Sequence, residues 1–119
     1  MFEWAWLLER CAGLGGGDEA HTAALLLFES GRRSVDAARN VAIDETGCTL
    51  KPRRATARLW PQTERLKAAL LLRQEDEARA AARGLWQYLQ TPRPGLWRDK
   101  MDADGHFVDK PAPASSLYH

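Results

Sequence analysis

The sequence predicts an all-α fold with two small β-hairpins in its loops. Apolar residues recur at helical spacing in four long stretches of this 119-residue chain. Glycine, proline and acidic residues punctuate those stretches as helix starts and stops. Alternating runs are short by comparison and centre on two turn sequences, Asp44-Glu45-Thr46-Gly47 and Asp104-Gly105.

The first helix occupies Met1 to Ala12 and has no capping residue ahead of it, so its start reads as cut. Phe2, Trp4, Ala5, Trp6, Leu7 and Leu8 surround most of it, which predicts burial inside a larger structure. Glu3 interrupts that apolar belt and belongs either at an exposed helix end or at a polar cavity; by itself the exposed end is the plainer reading. Gly13 to Gly17 reads as a turn. It lacks the preceding strand and the Lys-Ser/Thr continuation of a phosphate loop. Asp18 then caps a helix from Glu19 to Ser30, with Gly31 as its stop and His21 exposed in its first turn.

A short helical piece is expected at Val35 to Arg39. After it, Val41-Ala42-Ile43 and Cys48-Thr49-Leu50 flank the first turn sequence as a hairpin. Pro61, whose fixed φ and missing N–H suit a first helical turn, starts a helix running to about Leu72. The next helix runs from about Glu75 to Gln90, with Glu75, Asp76 and Glu77 at its positive end. Ala78, Ala81, Ala82, Leu85, Trp86 and Leu89 form its predicted core stripe. Thr91-Pro92-Arg93-Pro94-Gly95 breaks that helix, and Leu96 to Lys110 reads as the second hairpin. A two-residue turn there sets Met101 opposite Val108, Lys100 opposite Asp109 and Asp99 opposite Lys110. The prolines and serines after Lys110 lead into a further helix.

Composition excludes several functional classes. Seventeen basic against sixteen acidic residues leave a formal charge of +1, so no nucleic-acid or anionic-membrane partner is expected. The cluster Lys51-Pro52-Arg53-Arg54 reads as a solvated loop. Cys11 and Cys48 are read as reduced thiols of a cytoplasmic protein. Asp102-Ala103-Asp104-Gly105 has its glycine too early for a calcium loop and no bidentate glutamate downstream, so no metal is expected.

Trp60 and Glu64 lie one turn apart on one helical face. An indole offers a plate for the apolar face of a pyranose, and a carboxylate accepts hydrogen bonds from its hydroxyls. On spacing alone, packing and capping is the stronger reading of that pair.

Phe2-Glu3-Trp4-Ala5-Trp6-Leu7-Leu8, Leu59-Trp60-Pro61-Gln62-Thr63-Glu64 and the stretch from Gly95-Leu96-Trp97 through Ser115-Ser116-Leu117-Tyr118-His119 resemble, in order, three motifs of the N-acylglucosamine 2-epimerase superfamily. They are most similar to its mannose isomerase-like branch. The resemblance implies an (α/α)6 barrel, of which residues 1–119 would be a partial catalytic domain without the N-terminal half and last helices. It implies aldose-ketose isomerisation of the mannose-to-fructose type by histidine acid/base chemistry through a cis-enediol(ate), with no cofactor and a monosaccharide as partner; residues 1–119 alone are expected to be inactive. His119 matches one catalytic histidine, Glu3 the glutamate beside the other, and Trp60 and Glu64 the sugar-binding pair. The other histidine of the motif would stand immediately before Met1. Two alternatives follow: a 2-epimerase of the N-acylglucosamine or cellobiose type, or a non-catalytic helical module that binds sugar or a partner. Self-association through an incomplete barrel surface is also expected.

Overall fold

Helices form where the apolar periodicity places them. The computed structural model describes residues 1–118. It contains α1 (Phe2–Cys11), α2 (Gly17–Arg32), α3 (Leu59–Leu71) and α4 (Glu75–Leu89). Among the described residues no helix is long and apolar enough to cross a membrane. Antiparallel strand pairs are small: β1 (Val35–Asp36) with β2 (Val41–Ala42), β3 (Glu45–Thr46) with β4 (Pro52–Arg54), and β5 (Ala57–Arg58) with β6 (Lys100–Met101). The all-α class with small strand pairs is therefore observed.

Helices α1 and α2 form an antiparallel hairpin joined by a π-helical turn, Ala12–Gly16, which breaks at Gly15 (φ 106°). Only a residue without Cβ takes that backbone readily. Phe2 meets Phe28 edge-on, with ring centroids 5.8 Å apart, and its ring also lies against Gly31. A Cβ at Gly31 would come within 2.8 Å of that ring. This corrects the helix limits: Gly31 is not a stop but a packing position, the helix runs on to Arg32, and Asp18 lies inside its first turn. His21 is exposed as expected, with Nδ1 2.6 Å from Glu9 Oε2 across the hairpin.

Helix α3 ends in a Schellman motif, with Gln74 N–H donating to Ala69 O (2.8 Å) and Arg73 N–H to Leu70 O (3.2 Å). Arg73 takes the left-handed conformation that glycine usually supplies there (φ 55°). The turn returns the chain antiparallel as α4. Helix α3 is central: it packs on α1 through one face and on α4 through another. One core gathers Phe2, Ala5, Ala24, Phe28, Ala68 and Leu72 between α1, α2 and α3. Burying each phenylalanine there contributes about 1.5–3 kcal/mol. A second core joins Val41, Ala57, Leu59, Tyr88 and Met101.

Several local expectations are corrected. Val35–Asp36 is a strand rather than a helical piece, because Asp36 draws the following turn closed: Oδ1 accepts the Arg39 N–H (3.0 Å) and Oδ2 the Arg39 Nη2 (2.9 Å). Val41–Ala42 consequently pairs backwards with β1, and the next hairpin shifts on to β3 and β4, with its left-handed residue at Leu50 (φ 60°) rather than at Gly47. The later hairpin is offset by one residue. Met101 bridges Phe107, and Val108 N–H donates to Lys100 O. Asp102 Oδ1 accepts N–H bonds from Asp104 and His106, and Gly105 (φ 90°) absorbs the extra turn residue. In α4 the inward face is Ala78, Ala81, Gly84 and Tyr88. Trp86, expected in the core, is 59% exposed. Trp4 and Leu7 of α1 are exposed too, so that helix is not buried all round.

Candidate active site

The start of α3 is held from three directions. Strand β5 runs directly into it, and Leu59 N–H donates to Asp99 O (2.7 Å) beside the β5–β6 pair. Asp44 takes the Arg58 N–H on Oδ1 (2.9 Å) and the Thr56 hydroxyl on Oδ2 (2.7 Å). Gln62 acts like one residue of a strand: its Oε1 accepts the Ala42 N–H (2.8 Å) while its Nε2 donates to Ala42 O (2.9 Å). That amide clamp sets Ala42, Ile43 and Asp44 as a wall facing the first turn of α3.

Between this wall, α3 and the start of α1 lies a small cleft of about 110 Å³. Glu3, Asp44, Trp60, Pro61 and Glu64 are among its lining residues. Three of the four predicted site residues, Glu3, Trp60 and Glu64, thus reach one cleft from two helices; the fourth, His119, lies outside the described residues. Glu3 is exposed at its rim and Trp60 is half-buried. The Thr63 hydroxyl donates to Trp60 O (2.7 Å), which ties down the helical turn between Trp60 and Glu64.

Glu64 is 2% exposed. Its Oε2 accepts the indole N–H of Trp6, and its Oε1 accepts Lys67 Nζ at 2.8 Å. Lys67 Nζ also stands 5.2 Å from the centroid of the Trp6 ring, so carboxylate, ammonium and indole cluster together. A buried carboxylate is tolerated when it is paired and hydrogen-bonded in this way. Because that carboxylate also borders the cleft, it can accept a hydroxyl hydrogen bond from a molecule lying on Trp60.

Sequence reasoning missed Trp6 and Lys67 as partners of Glu64. Lys67 was legible as an i,i+3 neighbour. Trp6 was not, since 58 positions separate it from Glu64.

A larger concavity, about 740 Å³, is elsewhere: an open groove between residues 91–98 and 105–110 that is lined by none of Glu3, Trp60 and Glu64. Chemistry favours the small cleft, where an aromatic plate and three carboxylates (Glu3, Asp44 and Glu64) converge. Among the described residues, no group of three or more histidine, cysteine, aspartate or glutamate side chains could hold a metal ion.

The family model for N-acylglucosamine 2-epimerase matches residues 1–119. The chain is 43% identical over 130 residues to a protein of Rhizobium meliloti (strain 1021) named mannose-6-phosphate isomerase. That alignment covers 100% of this chain and 34% of the relative, so the chain spans about a third of the relative's length. No solved structure gives a significant match.

Proposed function

Because this chain belongs to the N-acylglucosamine 2-epimerase family of sugar-processing isomerases and epimerases, we propose that it serves aldose-ketose isomerisation of the mannose-to-fructose type. Its helical architecture with small strand pairs is consistent with a consecutive slice of the family's (α/α)6 barrel. The observation that carries the functional reading is the convergence of Glu3, Trp60 and Glu64 on one cleft from separate helices. A relative named mannose-6-phosphate isomerase supports an isomerase over a 2-epimerase.

In this reading the apolar face of the sugar lies on Trp60, and Glu64, oriented by Trp6 and Lys67, accepts hydroxyl hydrogen bonds. His119 moves the proton. An imidazole, with an ordinary pKa of about 6.5, exchanges protons readily near neutrality. The open-chain aldose loses its C2 proton, passes through a cis-enediol(ate) and takes a proton at C1. Glu3, at the cleft rim, supports the acid/base group and the sugar. The exposed Trp4, Leu26 and Trp86 support self-association at high concentration.

The test is exchange of the mannose C2 proton in D2O, followed by NMR, with fructose and C2 epimers assayed in the same samples. Exchange that disappears in His119→Ala, with fructose as any product formed, is the expected result. Epimer without ketose would assign a 2-epimerase. Mannose binding that depends on Trp60 but brings no exchange would leave a sugar-binding module and overturn the catalytic reading.

A further inference from the structure

A second cleft, of about 180 Å³, is lined by Asp44, Glu45, Arg54, Arg58 and Trp60. Trp60 and Asp44 line both clefts, so the two adjoin. Their chemistry differs. Glu3 and Glu64 border the first, whereas two guanidinium groups border the second.

Resting on the sugar-site reading above, we propose that Arg54 and Arg58 bind the phosphoryl group of a phosphorylated monosaccharide whose ring lies on Trp60. Backbone pairing fixes where both arginines start: Arg54 sits opposite Glu45 in the β3–β4 pair, and Arg58 sits opposite Lys100 at the mouth of α3. Their side chains are 54% and 48% exposed, so each planar fork is free to turn toward an anion.

Two carboxylates face the same arginines, and neither holds its partner closely. Arg54 Nη1 stands 3.5 Å from Glu45 Oε1, and both side chains are half-exposed. Arg58 Nε stands 3.9 Å from Asp44 Oδ2, beyond hydrogen-bonding reach. Asp44 Oδ1 accepts the Arg58 N–H and its Oδ2 the Thr56 hydroxyl. Solvated ion pairs of this length contribute little, whereas a phosphoryl dianion offers two arginine forks short, charge-assisted bonds. In the proposed complex both arginines exchange these loose contacts for the phosphoryl group, against the repulsion of Asp44 and Glu45 in the same cleft.

The experiment is a calorimetric or NMR titration of the 119-residue chain with mannose, mannose 6-phosphate and inorganic phosphate. The proposal expects mannose 6-phosphate to bind about tenfold more tightly than mannose. That ratio should shrink as salt is raised and should fall to near one in the double variant Arg54→Gln/Arg58→Gln, with circular dichroism verifying the fold. Equal affinity for the two sugars, or a ratio that survives in the double variant, overturns it. Inorganic phosphate binding as tightly as mannose 6-phosphate also overturns it, in favour of a free-anion site. Mannose binding lost in Trp60→Ala but without a phosphate advantage sinks the anion subsite alone. Binding of both sugars indifferent to Trp60→Ala sinks the sugar-site reading as well.

Discussion

Glu64 and Arg65 are neighbours on α3 and each is 2% exposed, yet, about 100° apart around the helix, they serve different faces of it. Arg65 faces α4 and the turn before β2. Its Nε donates to Glu77 Oε1 (2.6 Å), and its Nη groups donate to the carbonyl and side-chain oxygens of Asn40 (3.1–3.2 Å). Asn40 is itself fastened to α4, because its Nδ2 donates to Ala80 O (2.8 Å) and its carbonyl approaches Gly84 where a Cβ would come within 2.3 Å. Glu64 faces α1, and its partners Trp6 and Lys67 leave it bordering a cleft. Burial of a charge therefore does not by itself mark a site. What distinguishes the two regions is whether the partners close the group off inside the fold or hold it against space a ligand can enter.

That contrast can be broken by substitution. Arg65→Met should have the largest effect, a loss of about 3 kcal/mol in urea unfolding, because Glu77 and Asn40 would keep their polar groups without the guanidinium. A loss under about 1 kcal/mol would show that this side of α3 is not the structural one. Glu64→Gln keeps the shape and an acceptor for the Trp6 indole, so its stability should stay within about 1 kcal/mol of the parent. Mannose affinity should fall about tenfold, or about 1.4 kcal/mol, in the same titration used for the parent. Comparable destabilisation in both variants with binding intact would erase the distinction.

The smallest effect belongs to the Asp36–Arg39 pair, on the same structural side. Hydrogen bonds from the Arg39 side chain and backbone hold the Asp36 carboxyl below its ordinary value of 3.8. A lowered carboxyl pKa contributes stability that is complete above the unfolded value and is lost as pH falls through the folded one. Melting temperature measured across that acid range should fall less steeply in Asp36→Asn than in the parent. An unchanged slope would count against the pair.

The Glu64 side of this contrast was legible beforehand, while the Arg65 side was not. Pro61 and the helical spacing set Trp60 and Glu64 on one face, and the acidic run at Glu75, Asp76 and Glu77 marked the start of α4. Misreadings cluster where a distant group overrides a local signal. Gly31 looked like a helix stop but is a gap filled by the Phe2 ring. Trp86 continued an apolar stripe, yet Gly84 and Tyr88 face inward because Asn40 and the Ala57 carbonyl lie there, the latter accepting the Tyr88 hydroxyl at 3.1 Å. Charge pairing suggested a two-residue turn at Asp104-Gly105, but the Asp102 side chain captured two backbone N–H groups and moved the register by one.

By itself the sequence determined the four helices and the placement of Trp60 one turn before Glu64, since proline geometry and helical periodicity act within a few residues. Only the tertiary structure decided that Glu3 shares their cleft and that Trp6 holds Glu64. Those pairings depend on α1 packing against α3 and on Gln62 clamping Ala42 into the cleft wall. Side-chain complementarity across tens of residues sets such contacts, and no local spacing encodes it.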